Sequence, residues 1–193
     1  MAAVTLHVGV LALQGDFAAH ERAVAALGHR VRQVKTAAAL ESLDALLLPG
    51  GESTTMLKFL QGEGLLEPLA DFCASGRPVL GTCAGAILLA REVTSPEQLS
   101  LGIVDMSVER NAYGRQVDSF IAHIEDAVPA LRGVEAVFIR APRIRRVGAG
   151  VDVLMSHQGD PILVRQGPVY AATFHPEMTE DTRVLSVVLG GAA

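Results

Sequence analysis

The run Arg77-Pro78-Val79-Leu80-Gly81-Thr82-Cys83-Ala84-Gly85-Ala86-Ile87-Leu88-Leu89-Ala90 constrains this chain more than any other stretch. Its opening reads as a buried strand, which breaks at a cysteine into an apolar helix. Glycines flank the break in the order Gly-x-Cys-x-Gly. They permit a tight turn and a close approach of neighbouring backbone, as in the elbow that carries a catalytic serine. The Cys83 thiol is therefore expected to project from the turn. A helix starting near Ala84 would aim unpaired N–H groups and a partial positive charge at the sulfur. Taken alone, the same residue also fits a buried core cysteine, because free cysteines are among the most buried side chains. A base elsewhere in the chain is what separates the two readings.

At 193 residues the chain suits one domain spanning 1–193 with a substantial core. Half of it is hydrophobic but only 4% is aromatic, which suggests a core of Ala, Val, Leu and Ile. The net charge of −5 offers no general attraction for nucleic acid, and Arg outnumbers Lys 14 to 2 without functional meaning. Two cysteines ten positions apart make no disulfide framework and suggest the cytoplasm. No CxxC or paired-His pattern calls for a metal, and no cofactor is expected. The first residues lack a basic n-region and read as a strand, and no apolar run reaches the length of a membrane span.

Taken in order, residues 6–13 form a continuous apolar run of the central-strand type. Asp16 is placed to cap a helix running to about Leu27, with Ala18, Ala19, Ala23, Ala26 and Leu27 on its inner face and Gly28 ending it. Residues 29–35 and 43–48 are further strands. The second runs into Pro49-Gly50-Gly51-Glu52-Ser53-Thr54-Thr55, where Ser53 or Thr54 is expected to cap a helix over 55–61. A helix over 65–75 precedes the elbow. Strands alternating with helices indicate a largely parallel sheet covered on both faces. Beyond Arg91, residues 102–110 and 116–124 read as antiparallel strands joined by a turn at Asn111-Ala112-Tyr113-Gly114. Strands follow over 134–140, 151–156, 162–166 and 169–174, with a turn at 157–160, and a helix over 180–189 closes the chain.

Phe174-His175-Pro176-Glu177 stands at a strand end, where α/β enzymes place their chemistry. Pro176 biases His175 to an extended conformation, in which residues two apart face the same way. Glu177 can then fix the imidazole of His175 while the other ring nitrogen faces a thiol. In isolation a surface His-Pro-Glu turn reads the same; with the cysteine elbow the pattern is much stronger. The glycines of Pro49-Gly50-Gly51-Glu52 can turn backbone N–H groups into the space above the sheet, where a thioester pathway needs oxyanion donors.

GGES, GTCAG and FHPE, in this order and spacing, resemble the triad-type (class I) glutamine amidotransferases. The stretches LALQGDFAAHE, LPGGESTTM, VERNAYGRQVDSF, VFIRAP and FHPEMTED look specifically like the glutaminase subunits of pyridoxal 5′-phosphate synthase, over essentially the whole chain. Ala86 departs from that pattern, which has a larger aliphatic residue there; Tyr113 and Met178 are conservative departures.

The resemblance implies an α/β fold, a three-layer α/β/α arrangement with a mostly parallel central sheet and added antiparallel strands, flavodoxin-like in type. It implies hydrolysis of L-glutamine to glutamate and ammonia. Cys83 would be nucleophile, His175 base and then acid, and Glu177 the orienting carboxylate. Glutamine contacts would fall on Gly51, Glu52, Ser53, Arg110, Ile139 and Arg140, with oxyanion donors among Gly50, Gly51 and Ala84. An amino acid's ammonium calls for an acid such as Glu52 and its carboxylate for a guanidinium fork, with Arg110 and Arg140 both open. The implied partner is a (β/α)8 synthase subunit. The two would form a hetero-oligomeric complex that makes pyridoxal 5′-phosphate from ribose 5-phosphate and glyceraldehyde 3-phosphate. Residues 115–119 and 143–150 are candidate docking surfaces. Cys73, with no elbow, reads as core, and His7, His20, His29, His123 and His157 as packing or surface residues. The alternatives are the glutaminase of another class I amidotransferase, a cysteine peptidase or isomerase relative, and a non-catalytic scaffold of the same fold.

Overall fold

In the computed structural model, which describes residues 4–110 and 119–190, seven strands form one sheet. In chain order these are β1 (His7–Leu11), β2 (Arg30–Val34), β3 (Ala45–Leu48), β4 (Val79–Thr82), β10 (Asp152–His157), β11 (Asp160–Gln166) and β12 (Val169–Ala172). Their spatial order is β10-β11-β12-β4-β3-β1-β2. The run from β12 to β2 is parallel, and β10 and β11 add an antiparallel hairpin at one edge. The hairpin turns where expected, with His157 opposite Asp160.

The alternation of side chains along each strand separates two cores. Leu46 and Leu48 of β3 face one way and pack with α2 (Ser53–Gly62), α3 (Leu66–Ala74) and α4 (Ala84–Leu89). Ala45 and Leu47 face the other way and pack with α1 (Phe17–Ala26) and α5 (Arg183–Gly190). The sheet is thus sandwiched as the alternation of strands and helices predicts. Among the described residues, no helix is long and apolar enough to cross a membrane.

Asp16 caps α1 by accepting from Ala19 N at 3.1 Å, as expected. The inner face of that helix agrees with the predicted one at Ala19, Ala23 and Leu27, which pack on the core, but not at its other two positions. Ala18 and Ala26 are exposed, and Ala19, His20 and Val24 are buried. The cap of α2 is also corrected. Glu52 takes the position assigned to Ser53 or Thr54, because its carboxylate reaches the N–H groups of both Thr54 and Thr55, at 3.0 and 2.7 Å.

Among the described residues, the expected antiparallel partnership of 102–110 with 116–124 does not form. Strand β6 (Val104–Glu109) has both edges occupied, by β5 (Ala90–Thr94) in parallel and β9 (Arg143–Val147) in antiparallel fashion. The later stretch, β7 (Ser119–Ile124), pairs instead with β8 (Val134–Ile139). The turn at 111–114 and the docking residues 115–118 lie outside the described residues. The candidate docking loop 143–150 is largely the strand β9.

Candidate active site

Four site segments emerge at one end of the sheet, where β1, β3, β4 and β12 finish next to one another. The register sets Leu48 beside Gly81 and Ala172 beside Thr82, so the residues that follow these strands start as neighbours. The first is Cys83, at φ 48° and ψ −103°, a left-handed backbone that a side chain adopts only under strain. Its N–H bonds to Ala172 O at 2.8 Å, which ties the turn to β12. Gly85 explains the second glycine of the elbow. A Cβ there would collide with the carbonyl oxygen of Leu48, so only glycine lets α4 pass the end of β3.

His175 arrives from β12, with its N–H donating to Val137 O at 2.8 Å. Its Nδ1 lies 2.7 Å from Glu177 Oε1, as the two-residue spacing predicts. Both side chains are buried, and the ring also meets Cys83. Burial opposes a charge on this ring, yet the hydrogen bonds with Cys83 and Glu177 prevail and raise His175 to about 10. Burial likewise pushes Glu177 up, but its interactions with His20 and its hydrogen bond with His175 bring it down to about 2. Cys83, His175 and Glu177 thus form one contiguous unit, with the ring between the thiol and the carboxylate.

Gly50 packs directly against this unit. A Cβ on it would run into His175 Cε1 and lie 3.4 Å from Cys83 Cβ. The Gly50 carbonyl points at Gly15, so the N–H of the same planar peptide, that of Gly51, lies on the opposite side. On the Gly15 side, Gln14 Oε1 accepts from Glu52 N at 3.0 Å. Ala84, the first residue of α4, carries one of the first-turn N–H groups that have no partner within the helix.

A cleft of about 150 Å³ opens over Cys83. It is lined by Gly51, Glu52, Ser53, Ile87, Arg110, Ile139 and Arg140 besides the cysteine, so all six residues matched to glutamine contacts converge there. Ile87, one turn into α4, was not foreseen. Arg110 Nη2 spans the cleft to Glu52 Oε1 at 3.3 Å and Thr54 Oγ1 at 2.9 Å. Glu52 is held to about 2 by its hydrogen bond with Thr55, against a smaller opposing effect of burial and with help from the helix N–H groups, and stays an anion at any working pH. Ser53 Oγ is engaged with Gln98 Oε1 at 2.9 Å. Arg140 sits at φ 45°, directly after β8.

His20, read as a packing or surface residue, is a packing residue of α1. It is fully buried, and its Nε2 lies 3.4 Å from Glu177 Oε1. The signal in the sequence was a polar ring four residues before Val24, on the apolar side of a helix. Cys73 is a core residue of α3, as expected, and its thiol is pushed up by burial to about 12.

The model of the SNO glutamine amidotransferase family matches residues 10–189. A pyridoxal 5′-phosphate synthase subunit PdxT of Solibacter usitatus is 54% identical over 187 residues, covering 94% of this chain and 97% of its own length. The PdxT subunit of Thermotoga neapolitana is 46% identical over 179 residues, covering 93% and 95%. Among solved structures, a glutamine amidotransferase superposes with a TM-score of 0.90 at 48% identity, covering 96% of this chain and 98% of that one. A putative GMP synthase protein from Thermoplasma acidophilum gives 0.71 at 18% identity, covering 98% and 95%, a likeness of fold alone.

Proposed function

Because the chain belongs to the SNO glutamine amidotransferase family, we propose that it hydrolyses L-glutamine with Cys83, His175 and Glu177 and supplies the ammonia to its pyridoxal 5′-phosphate synthase partner. The observation that carries this reading is the convergence of three separated segments on Cys83, with its base beside it and a cleft sized for one small polar molecule above it.

The glutamine backbone end binds at the outer part of the cleft. Its carboxylate meets the guanidinium of Arg110 or Arg140, and its ammonium meets Glu52, whose exposed carboxylate keeps acceptor capacity beyond the cap of α2. The side-chain amide then lies over Cys83. Sulfur attacks the amide carbon, and the C=O electron pair moves to oxygen. The oxyanion is met by backbone N–H groups of the 50–51 loop and Ala84. His175 gives its proton to the departing nitrogen, the C–N bond breaks, and ammonia leaves behind a thioester. Water, deprotonated by His175, attacks the thioester; the C–S bond breaks and glutamate is released. Glu177 holds the ring throughout, its own proton affinity too low to compete for the proton.

The chain is read as one domain, supported by two cores on the faces of a single sheet and an accessible surface of 8898 Å². A compact monomer of this mass is expected at about 8,800 Å². Ring assembly belongs to the partner, and this chain's share is hydrolytic. A cytoplasmic location is part of the same reading, supported by chemistry that needs Cys83 as a free thiol.

The test is ammonia release from glutamine by the chain mixed with its (β/α)8 partner, followed by pyridoxal 5′-phosphate formation from ribose 5-phosphate and glyceraldehyde 3-phosphate. Failure to release ammonia in the complex would refute the glutaminase reading. Release without cofactor formation would move the chain to a different synthase.

A further inference from the structure

His20 approaches the triad from behind. From α1, its Nε2 lies 3.4 Å from Glu177 Oε1 and 3.1 Å from Oγ1 of Thr82, the residue before the nucleophile. The same carboxylate oxygen takes His175 Nδ1 at 2.7 Å, so Oε1 is held between two imidazoles. Glu177 Oε2 and His20 Nδ1 are buried with no hydrogen-bond partner.

A ring nitrogen that faces a carboxylate oxygen must carry the hydrogen, since two sets of lone pairs at that range repel. Folding alone gives no reason for this arrangement. A fully buried imidazole costs more than a leucine of similar volume unless it is well paired, and this one is only half paired.

We propose that His20 is a positioning residue for glutamine hydrolysis: its Nε2–H ties Glu177 Oε1 to the strand end that carries Cys83, and so holds the carboxylate where it aims His175 at the thiol. The inference rests on the triad reading above. Without that tie, Glu177 is anchored by His175 alone, and the carboxylate and the ring it should orient turn together. The titratable groups facing Glu177 are His20 from α1 and His175 from its own segment, with Cys83 beyond the His175 ring. Burial pushes Glu177 up and the two rings pull it down, so loss of His20 lets it protonate at higher pH.

The test compares wild type, His20→Leu, His20→Gln and His20→Asn in complex with the synthase partner. His20→Leu keeps the volume and loses the donor. It should lower kcat by about tenfold, the scale of one hydrogen bond to a charged group. Its KM for glutamine should stay within about twofold, since His20 does not line the cleft. The acid limb of its kcat profile should move to higher pH. His20→Gln places an amide N–H near the lost Nε2 and should recover most of the rate. His20→Asn is too short to reach. An independent readout is the low-field proton resonance of His175 Nδ1–H, which should shift in His20→Leu and return in His20→Gln. A His20→Leu enzyme with wild-type kcat and an unmoved His175 resonance would overturn the proposal, as would equal damage in the Leu and Gln variants with that resonance unmoved. If His20→Leu does not fold, His20→Asn is judged by the same criteria. If the wild-type complex releases no ammonia, the glutaminase reading falls while the resonance comparison still decides the tie.

Discussion

Cys83 and Cys73 are both buried thiols ten positions apart, and the chemistry separates them completely. Cys73 is packed on α3 and pushed up by burial to about 12, so it has no anionic form to offer at neutral pH. Cys83 instead sits at the strand-to-helix break, against the His175 ring. Cys83→Ala should cut ammonia release by roughly 10⁴-fold or more, the scale of losing a triad nucleophile, with the fold intact. Cys73→Ala should leave turnover unchanged. Steady-state ammonia assays on the two variants decide this, and turnover surviving in Cys83→Ala would contradict the mechanism. The His175–Glu177 pair also sets a pH dependence of stability. Glu177, lowered to about 2 from an ordinary 4.5, contributes stability that is full above about 4.5 and lost as pH falls toward 2. His175, raised to about 10 from 6.5, contributes stability that is full below about 6.5 and lost as pH rises through 10. The deficit of a Glu177→Gln variant in thermal unfolding should therefore be greatest between pH 4.5 and 6.5 and shrink as pH nears 10. A deficit constant with pH would count against the ion-paired description.

The elbow and the helix α2 carry the predictions at the level of elements. Gly85→Ala places a methyl group against the Leu48 carbonyl, forcing α4 away from β3. The cost is about 1–3 kcal/mol in denaturant unfolding, the usual range for overpacking, with a larger fractional loss of activity because Cys83 moves too. Gly62→Ala, where the added Cβ meets nothing within 4 Å, is the contrasting change and should be neutral or stabilising by up to about 1 kcal/mol. Glu52→Gln keeps a weaker cap, so it should raise KM for glutamine more than it lowers the unfolding midpoint; the reverse would assign Glu52 to the helix alone. Sequence was most informative where a local rule acts alone. The apolar runs of β1, β3 and β4, the Gly-x-Cys-x-Gly break and the two-residue spacing of His175 and Glu177 each follow from backbone geometry within a few residues. It was least informative where distant partners decide. Ala90–Thr94 and Arg143–Val147 are strands of a small side sheet, and Arg143, Arg145 and Arg146 conceal the single buried Ile144 that marks the inner face of β9. Their pairing with β6 displaced the hairpin that adjacency suggested. Either Ser53 or Thr54 is a good cap by propensity, and Glu52 prevailed because a longer carboxylate accepts from two N–H groups at once. His20 was illegible because its significance depends on Glu177, which lies 157 positions away along the chain but 3.4 Å away in space.

At the scale of the whole molecule, the ammonia is proposed to be used by a separate synthase subunit, so turnover is expected to depend on that partner. The Gly50–Gly51 peptide is the natural control point, since it contacts the triad on one side and Gly15 on the other and can rotate without a side chain to obstruct it. Losing one oxyanion donor costs on the order of hundreds-fold in rate. Glutamine hydrolysis should rise by about that factor when the partner is saturating, and equal rates with and without it would refute the dependence. The φ of 48° at Cys83 also bears on how such a protein would decay over generations. Of all residues glycine tolerates that turn best, so Cys83→Gly should melt at a higher temperature than wild type while making no ammonia. A lineage that came to draw its nitrogen from another source would then meet two pressures in one direction at this codon, relief of the turn and no loss of fitness. The nucleophile would be among the first positions to erode, leaving a sturdier and silent descendant.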